Sequence, residues 1–194
     1  MIENYVALFT DITSKKHYEA QLIEIANHDA LTGLLNRNTL NEQISTACAY
    51  SDITGHMVAI MFIDLDGFKA INDEYGHEAG DAILVEVGFR LKQLCRQSDK
   101  CLRLGGDEFM LIYSEVKTHE DTKALATKIV SALKEPIIFE SEKLVIGASV
   151  GIREYSSREH TRPEQLIKEA DNAMYLAKSS GKNQFRIFEK LNAS

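Results

Sequence analysis

The 194-residue sequence has no tryptophan, only two prolines and only three cysteines. An odd set of cysteines cannot pair off completely, and Cys48, Cys95 and Cys101 show no CxxC spacing. A disulfide framework and a thiolate metal site are therefore not expected, and reduced thiols in a cytoplasmic protein are. Long apolar runs are also missing: none approaches the roughly 18 residues of a membrane span. The opening MIENYVALFT lacks the basic start and apolar centre of a secretory leader. Basic residues are outnumbered, 22 against 29 acidic, for a formal net charge of −7. That balance argues against holding a nucleic-acid backbone by charge. A nucleotide is not excluded, because a metal ion can bridge acidic groups to phosphates. What is present, 44% hydrophobic and 26% charged residues, describes a soluble globular chain with one full domain and a remainder.

Periodicity predicts the order of elements. NYVALFTDI reads as a strand, and SKKHYEAQLIEIANHD as a helix with Tyr18, Leu22 and Ile25 on one stripe, too short for a stable isolated coiled coil. A helix is expected from Leu31 to Tyr50. MVAIMFIDL, with its β-branched and apolar content, reads as a buried strand. AGDAILVEVGFRLKQLCRQ and HEDTKALATKIVSALK read as helices, PIIFE and KLVIGASVGI as strands, PEQLIKEADNAMYLAKSSG as a helix closed by glycine, and QFRIF as a last strand. Strands and helices do not alternate strictly. An α+β fold with a central, mostly antiparallel sheet surrounded by helices is the expectation.

Two stretches carry chemistry. In RLGGDEFMLIY two glycines run into two acids between strand-like segments, the pattern of a hairpin turn displaying Asp107 and Glu108 at an exposed tip. In FIDLDGFKAINDEYGHEAGDAIL an apolar strand ends in Asp64 and Asp66 and passes through a glycine into a helix. Carboxylates then sit beside backbone N–H groups suited to phosphate. If this strand pairs antiparallel with the hairpin, Asp64 and Asp107 can share one Mg²⁺, an ion satisfied by few carboxylates plus substrate phosphates. Either motif alone is common in ordinary turns. Their joint occurrence, each against an apolar strand, favours the metal–nucleotide reading. His17, His56, His119 and His160 stand on polar stretches and read as surface residues.

DALTGLLNR, DLDGFKAINDEYGHEAGD, RLGGDEF and AKSSGKN occur in the order found in the GGDEF family of diguanylate cyclases, which the chain resembles from about residue 29 to 188. The resemblance implies a fold like the nucleotidyl cyclase and polymerase palm core. It also implies a transferase that condenses two GTP into cyclic di-GMP and releases two pyrophosphates, where two domains face each other as a transient homodimer. Residue by residue, Asp64, Asp107, Glu108 and the Leu65 carbonyl resemble the family's ligands for Mg²⁺, with Mn²⁺ as a substitute. Asp107 resembles the base that takes the 3′-hydroxyl proton, and Glu108 and Lys69 stand at catalytic positions. Gly67 and Phe68 resemble phosphate contacts, Asn72 and Asp81 the guanine-reading pair with His77 beside them, and Lys178 and Lys182 the phosphate-binding cations. Lys182 and Gln184 stand where the family usually has arginines, and lysine lacks the planar fork. Arg96 and Asp99, in RQSD, resemble the inhibitory product-binding site.

Residues 1–28 resemble the last strand of a PAS sensor and its signalling helix, with 29–194 as the cyclase domain. The rest of the sensor is then expected in a longer parent protein. The alternative from another class is a non-catalytic module that binds GTP or cyclic di-GMP and signals by contact. The intact set Asp64, Asn72, Asp81, Asp107 and Glu108 favours the enzyme.

Overall fold

The computed structural model describes residues 23–157 and 159–189. Its centre is β2, Met57–Asp66, in which all but the first and last residues are buried. A strand covered on both faces needs continuous apolar sequence, which MVAIMFIDLD supplies. β2 lies between β4 (Glu108–Val116) and β7 (Gly147–Tyr155), antiparallel to both. β3 (Lys100–Gly105) pairs antiparallel with β4. The edges are parallel additions: β1 (Leu35–Asn36) on β3 and β8 (Gln184–Ile187) on β7. The six-stranded order is β1-β3-β4-β2-β7-β8, so the mostly antiparallel sheet is borne out.

Alternation along β2 divides the core. Ala59, Met61, Ile63 and Leu65 face α3 (His77–Gln93) and α4 (His119–Lys134), through Ile83, Val87, Ile129 and Leu133 among others. Val58, Ile60 and Phe62 face α1 (Leu40–Thr54) and α5 (Pro163–Ser179), through Ile44, Ala47, Leu166 and Ala170. A short α2 (Phe68–Tyr75) follows β2 at once. The bounds of α4 match expectation because a reciprocal cap marks its start: Thr118 accepts from the Asp121 N–H and Asp121 from that of Thr118. α5 begins on Pro163, whose missing N–H costs nothing there.

Three expectations are corrected. The helix expected from Leu31 begins at Leu40. Before it, the Asp29 carboxylate accepts from the Thr32 N–H and hydroxyl, and Gly33 takes φ +68°. Such local side-chain bonds offer the backbone an alternative to helix. KLVIGASVGI is not one strand: β6 (Glu142–Leu144) pairs with β5 (Ile137–Phe139) in a separate ribbon, and β7 starts at Gly147. His56 is half-buried, with Nδ1 covered, rather than fully on the surface; the His119 side chain is 43% exposed, its Nδ1 lying 2.8 Å from Glu154 Oε2, His160 is exposed, and His17 lies outside the described residues. The strand NYVALFTDI and most of the helix after it lie outside the described residues. Of that stripe only Ile25 is described, and it is 75% exposed. Cys48 and Cys101 are buried, Cys95 is half-buried, and all three are free.

α5 approaches β7 closely at Gly151. A Cβ there would lie 2.0 Å from both the Ala170 carbonyl oxygen and the Met174 nitrogen. Both are backbone atoms of a packed helix and cannot swing aside. Gly151→Ala is therefore expected to cost about 3 kcal/mol, the upper range for overpacking, read as a lowered urea midpoint. An unchanged midpoint would contradict the close approach.

Candidate active site

β2 carries Asp64 and Asp66 out of the core, and the sheet register sets what they meet. Asp64 stands opposite Glu108 on β4 and opposite Ser149 on β7. The hairpin from β3 to β4 closes with Gly105 opposite Glu108. Its two central residues are thus Gly106 and Asp107, one position later than the Gly-Gly pair suggests. Gly105 at φ +135° and Gly106 at φ +55° hold conformations that a side chain would strain. The Leu65 N–H reaches across to the Asp107 carbonyl at 3.3 Å, which ties the turn to β2. Asp107 and Glu108 are half-buried, not fully exposed as a bare tip would be.

A second tie comes from Arg103. Its Nε and Nη2 donate to the Gly106 carbonyl at 3.1 and 2.8 Å, while Nη1 donates to both oxygens of Asp29 at 3.0 and 3.2 Å. Burial pushes the Asp29 carboxyl up, but hydrogen bonds from Thr32 and Arg103 outweigh it and hold the group below its ordinary value. Both residues lie inside the motifs DALTGLLNR and RLGGDEF, where the sequence alone assigns them no role. The available signal was an arginine abutting a turn with no side chains of its own to hold it.

The acids are crowded. Burial raises the Asp64 carboxyl, Lys178 opposes this, and Asp107 and Asp66 push it further up. Lys178 Nζ bonds Asp64 Oδ1 at 2.7 Å, and that bond raises the lysine in turn. Burial raises Glu108 most, Arg37 pulls it down, and smaller pushes from Asp64, Asp107 and Asp171 raise it further. Asp66 is already engaged, accepting from the Ser149 hydroxyl and the Asn183 N–H, both at 2.8 Å. Among the described residues no three His, Cys, Asp or Glu side chains are arranged to hold a metal by themselves. A hard cation that keeps waters and takes phosphate oxygens needs fewer protein donors, and hard, electrostatically frustrated oxygens such as these fit one.

The other predicted residues surround this corner unevenly. Gly67 caps α2 at φ +83°, with Phe68 half-buried and Lys69 exposed in its first turn. Asn72 is half-buried on α2, and His77 and Asp81 are exposed four residues apart on α3. Lys182 is exposed in a left-handed turn after α5, at φ +61°. Gln184 does not face phosphate: its amide donates to the Ala177 and Ser180 carbonyls at 3.1 and 2.8 Å, closing the end of α5. Arg96 and Asp99 stand elsewhere. Asp99 is buried and accepts from the Arg96 and Ser114 N–H groups at 2.8 and 3.4 Å. Both line a cleft of about 330 Å³ with Tyr113, Lys117 and Lys128.

A mostly antiparallel sheet that gathers carboxylates at a glycine hairpin beside a helix start is the architecture of a GGDEF domain. The family model described as "Diguanylate cyclase, GGDEF domain" matches residues 26–184, and the chain belongs to that family. It is 40% identical over 183 residues to the bifunctional diguanylate cyclase/cyclic di-GMP phosphodiesterase MucR of Pseudomonas aeruginosa, covering 94% of this chain and 26% of that protein. It is 33% identical over 192 residues to the diguanylate cyclase TpbB of the same organism, covering 96% and 44%. The chain thus spans less than half the length of these relatives. The solved GGDEF domain of TpbB superposes with a TM-score of 0.78 at 35% identity, covering 84% of this chain and 94% of that one.

The raised Glu108 carboxyl has a consequence for stability. Between its ordinary value of 4.5 and its raised folded value, the folded state holds the proton more tightly than the unfolded one. Stability therefore falls as pH rises through that window, and the loss is complete above it. Glu108→Gln is expected to raise Tm at pH 7 in metal-free buffer. The gain should shrink as pH falls and vanish below about 4.5. Melting curves across pH test this, and an unchanged or lower Tm at pH 7 would contradict the crowding.

Proposed function

We propose that this domain condenses two GTP molecules into cyclic di-GMP. The 3′-oxygen of each GTP attacks the α-phosphorus of the other, two P–O bonds to pyrophosphate break, and two pyrophosphates leave. The observation that supports this most directly is the register that sets Asp64 opposite Glu108 while the Leu65 N–H bonds the Asp107 carbonyl. Residues expected at one reaction centre from separate motifs are neighbours in space.

Asp64, Asp107, Glu108 and the Leu65 carbonyl would hold Mg²⁺, which supplies charge neutralisation and lowers the pKa of a bound hydroxyl. Asp107 accepts the 3′-hydroxyl proton. Lys69, Lys178 and Lys182 bring positive charge to the triphosphate, with the backbone at Gly67 and Phe68 contributing N–H groups. Lys178, bonded to Asp64 in this structure, would exchange that partner for a phosphate oxygen of the substrate. Asn72 and Asp81 select guanine, the carboxylate accepting from the ring N–H and exocyclic amine, with His77 alongside. Each domain supplies half of the reaction, so two chains face each other about a two-fold axis. Residues 1–28 belong to the input side and 29–194 to the catalytic side, in the cytoplasm where GTP is available.

Incubation with GTP and Mg²⁺ followed by chromatography is expected to show cyclic di-GMP. Asp107→Ala should lower the rate by about a thousandfold with an unchanged fold by circular dichroism, since the turn contributes little to the core. Wild-type protein that makes no product, or full activity in the variant, would overturn the assignment.

Product inhibition is the second part of the proposal. Arginine suits the O6/N7 edge of guanine, and the exposed Arg96 borders a cleft whose buried Asp99 fixes its backbone. Arg96→Ala should weaken inhibition by added cyclic di-GMP at least about tenfold and leave the uninhibited rate within a factor of two or so. Unchanged inhibition would remove this site from the scheme.

A further inference from the structure

α3 has a buried glycine at its fourth residue, Gly80. A glycine inside a helix costs about 1 kcal/mol relative to alanine, and here backbone freedom does not explain it, because its φ is not positive. Space explains it. A Cβ at Gly80 would lie 1.9 Å from Asn72 Oδ1 and 2.9 Å from Asn72 Cγ, against 3.2 Å from Phe68 Cζ. The amide of Asn72 fills the volume that any side chain at residue 80 would need. Among the described residues no hydrogen bond is made by the Asn72 side chain, so packing against Gly80 positions it.

We propose that Gly80 is a positioning residue for nucleobase recognition: the missing Cβ seats the Asn72 amide, and base preference depends on that seat. This rests on the reading of Asn72 as a guanine contact and adds what sets its geometry. The bland alternative is that Gly80 only lets α2 and α3 pack, through Phe68.

Four proteins decide it: wild type, Gly80→Ala, Asn72→Ala and the double variant. The readouts are KM for GTP, the inhibition constant of ATP, kcat and Tm. Gly80→Ala is expected to raise KM for GTP about tenfold, the loss of one well-made polar contact, and to narrow the margin over ATP. kcat at saturation should change less than KM. In the Asn72→Ala background the same substitution should add little to KM, since Asn72 Oδ1 and Cγ are gone and Phe68 Cζ, at 3.2 Å, need give only slightly. If Gly80→Ala raises KM equally with and without Asn72, the glycine acts through helix packing and the proposal is overturned. If Asn72→Ala leaves KM and base preference intact, the guanine-contact reading itself fails and takes the proposal with it. Should Gly80→Ala not fold, Asn72→Ala and the double variant give the same decision: equal KM values support the proposal, and a higher KM in the double variant overturns it.

Discussion

Carboxylates withdrawn from water and crowded at one end of β2 are the constraint on which this structure turns. Asp64, Asp66, Asp107 and Glu108 come from two neighbouring strand ends and one turn, and burial first, with the charges of their acidic neighbours added, raises Asp64 and Glu108 above their ordinary values. Lys178 on Asp64, Arg37 on Glu108, and Ser149 and Asn183 on Asp66 offset only part of that cost. The corner persists because β2 is buried on both faces and antiparallel to β4 and β7, so the apolar core fixes the register, and the register fixes the acids. Stability spent on such crowding is what a site for a cation and phosphates requires.

The turn shows how little of the positioning is done by the acids themselves. Gly105 and Gly106 have no side chains to anchor the backbone, so outside groups do it: the Leu65 N–H on Asp107 and the Arg103 guanidinium on Gly106. Arg103 is held in turn by Asp29, which Thr32 orients. The loop next to the N-terminal segment therefore reaches the centre of the hairpin through three side chains. A displacement at Asp29 would be passed to Gly106 through the Arg103 guanidinium.

Elements with strong apolar patterning are legible in the sequence. β2 and α4 are examples, the first from unbroken apolar content and the second from its periodicity, while the Thr118–Asp121 cap gives the physical reason for where α4 starts. The segment 31–39 is not legible, because its leucines mimic a helical stripe while Asp29, Thr32 and Gly33 satisfy the backbone locally. In the site, acids next to glycines and apolar strands were visible as pattern. Their supports were not: Arg103 with Asp29, Ser149 with Asp66, and Gly80 under Asn72 are contacts between residues far apart in sequence or defined by an absent atom. Spacing cannot show that a glycine is there for room and not for flexibility.

The end of α5 closes the frame in a way that accounts for one departure from the family pattern. Lys178 must reach Asp64 from the last turn of a helix, where carbonyls lack partners. Gln184 bonds two of those carbonyls, the Lys182 N–H returns to Ala177, and the Asn183 N–H bonds Asp66. Lys182 and Asn183 accept left-handed conformations to do so. The path is a ring: β2 through Asp66 to the turn, back along α5 to Lys178, and to β2 again at Asp64. In this chain Gln184 secures the helix carrying Lys178, and the proposed phosphate contacts fall to Lys178 and Lys182.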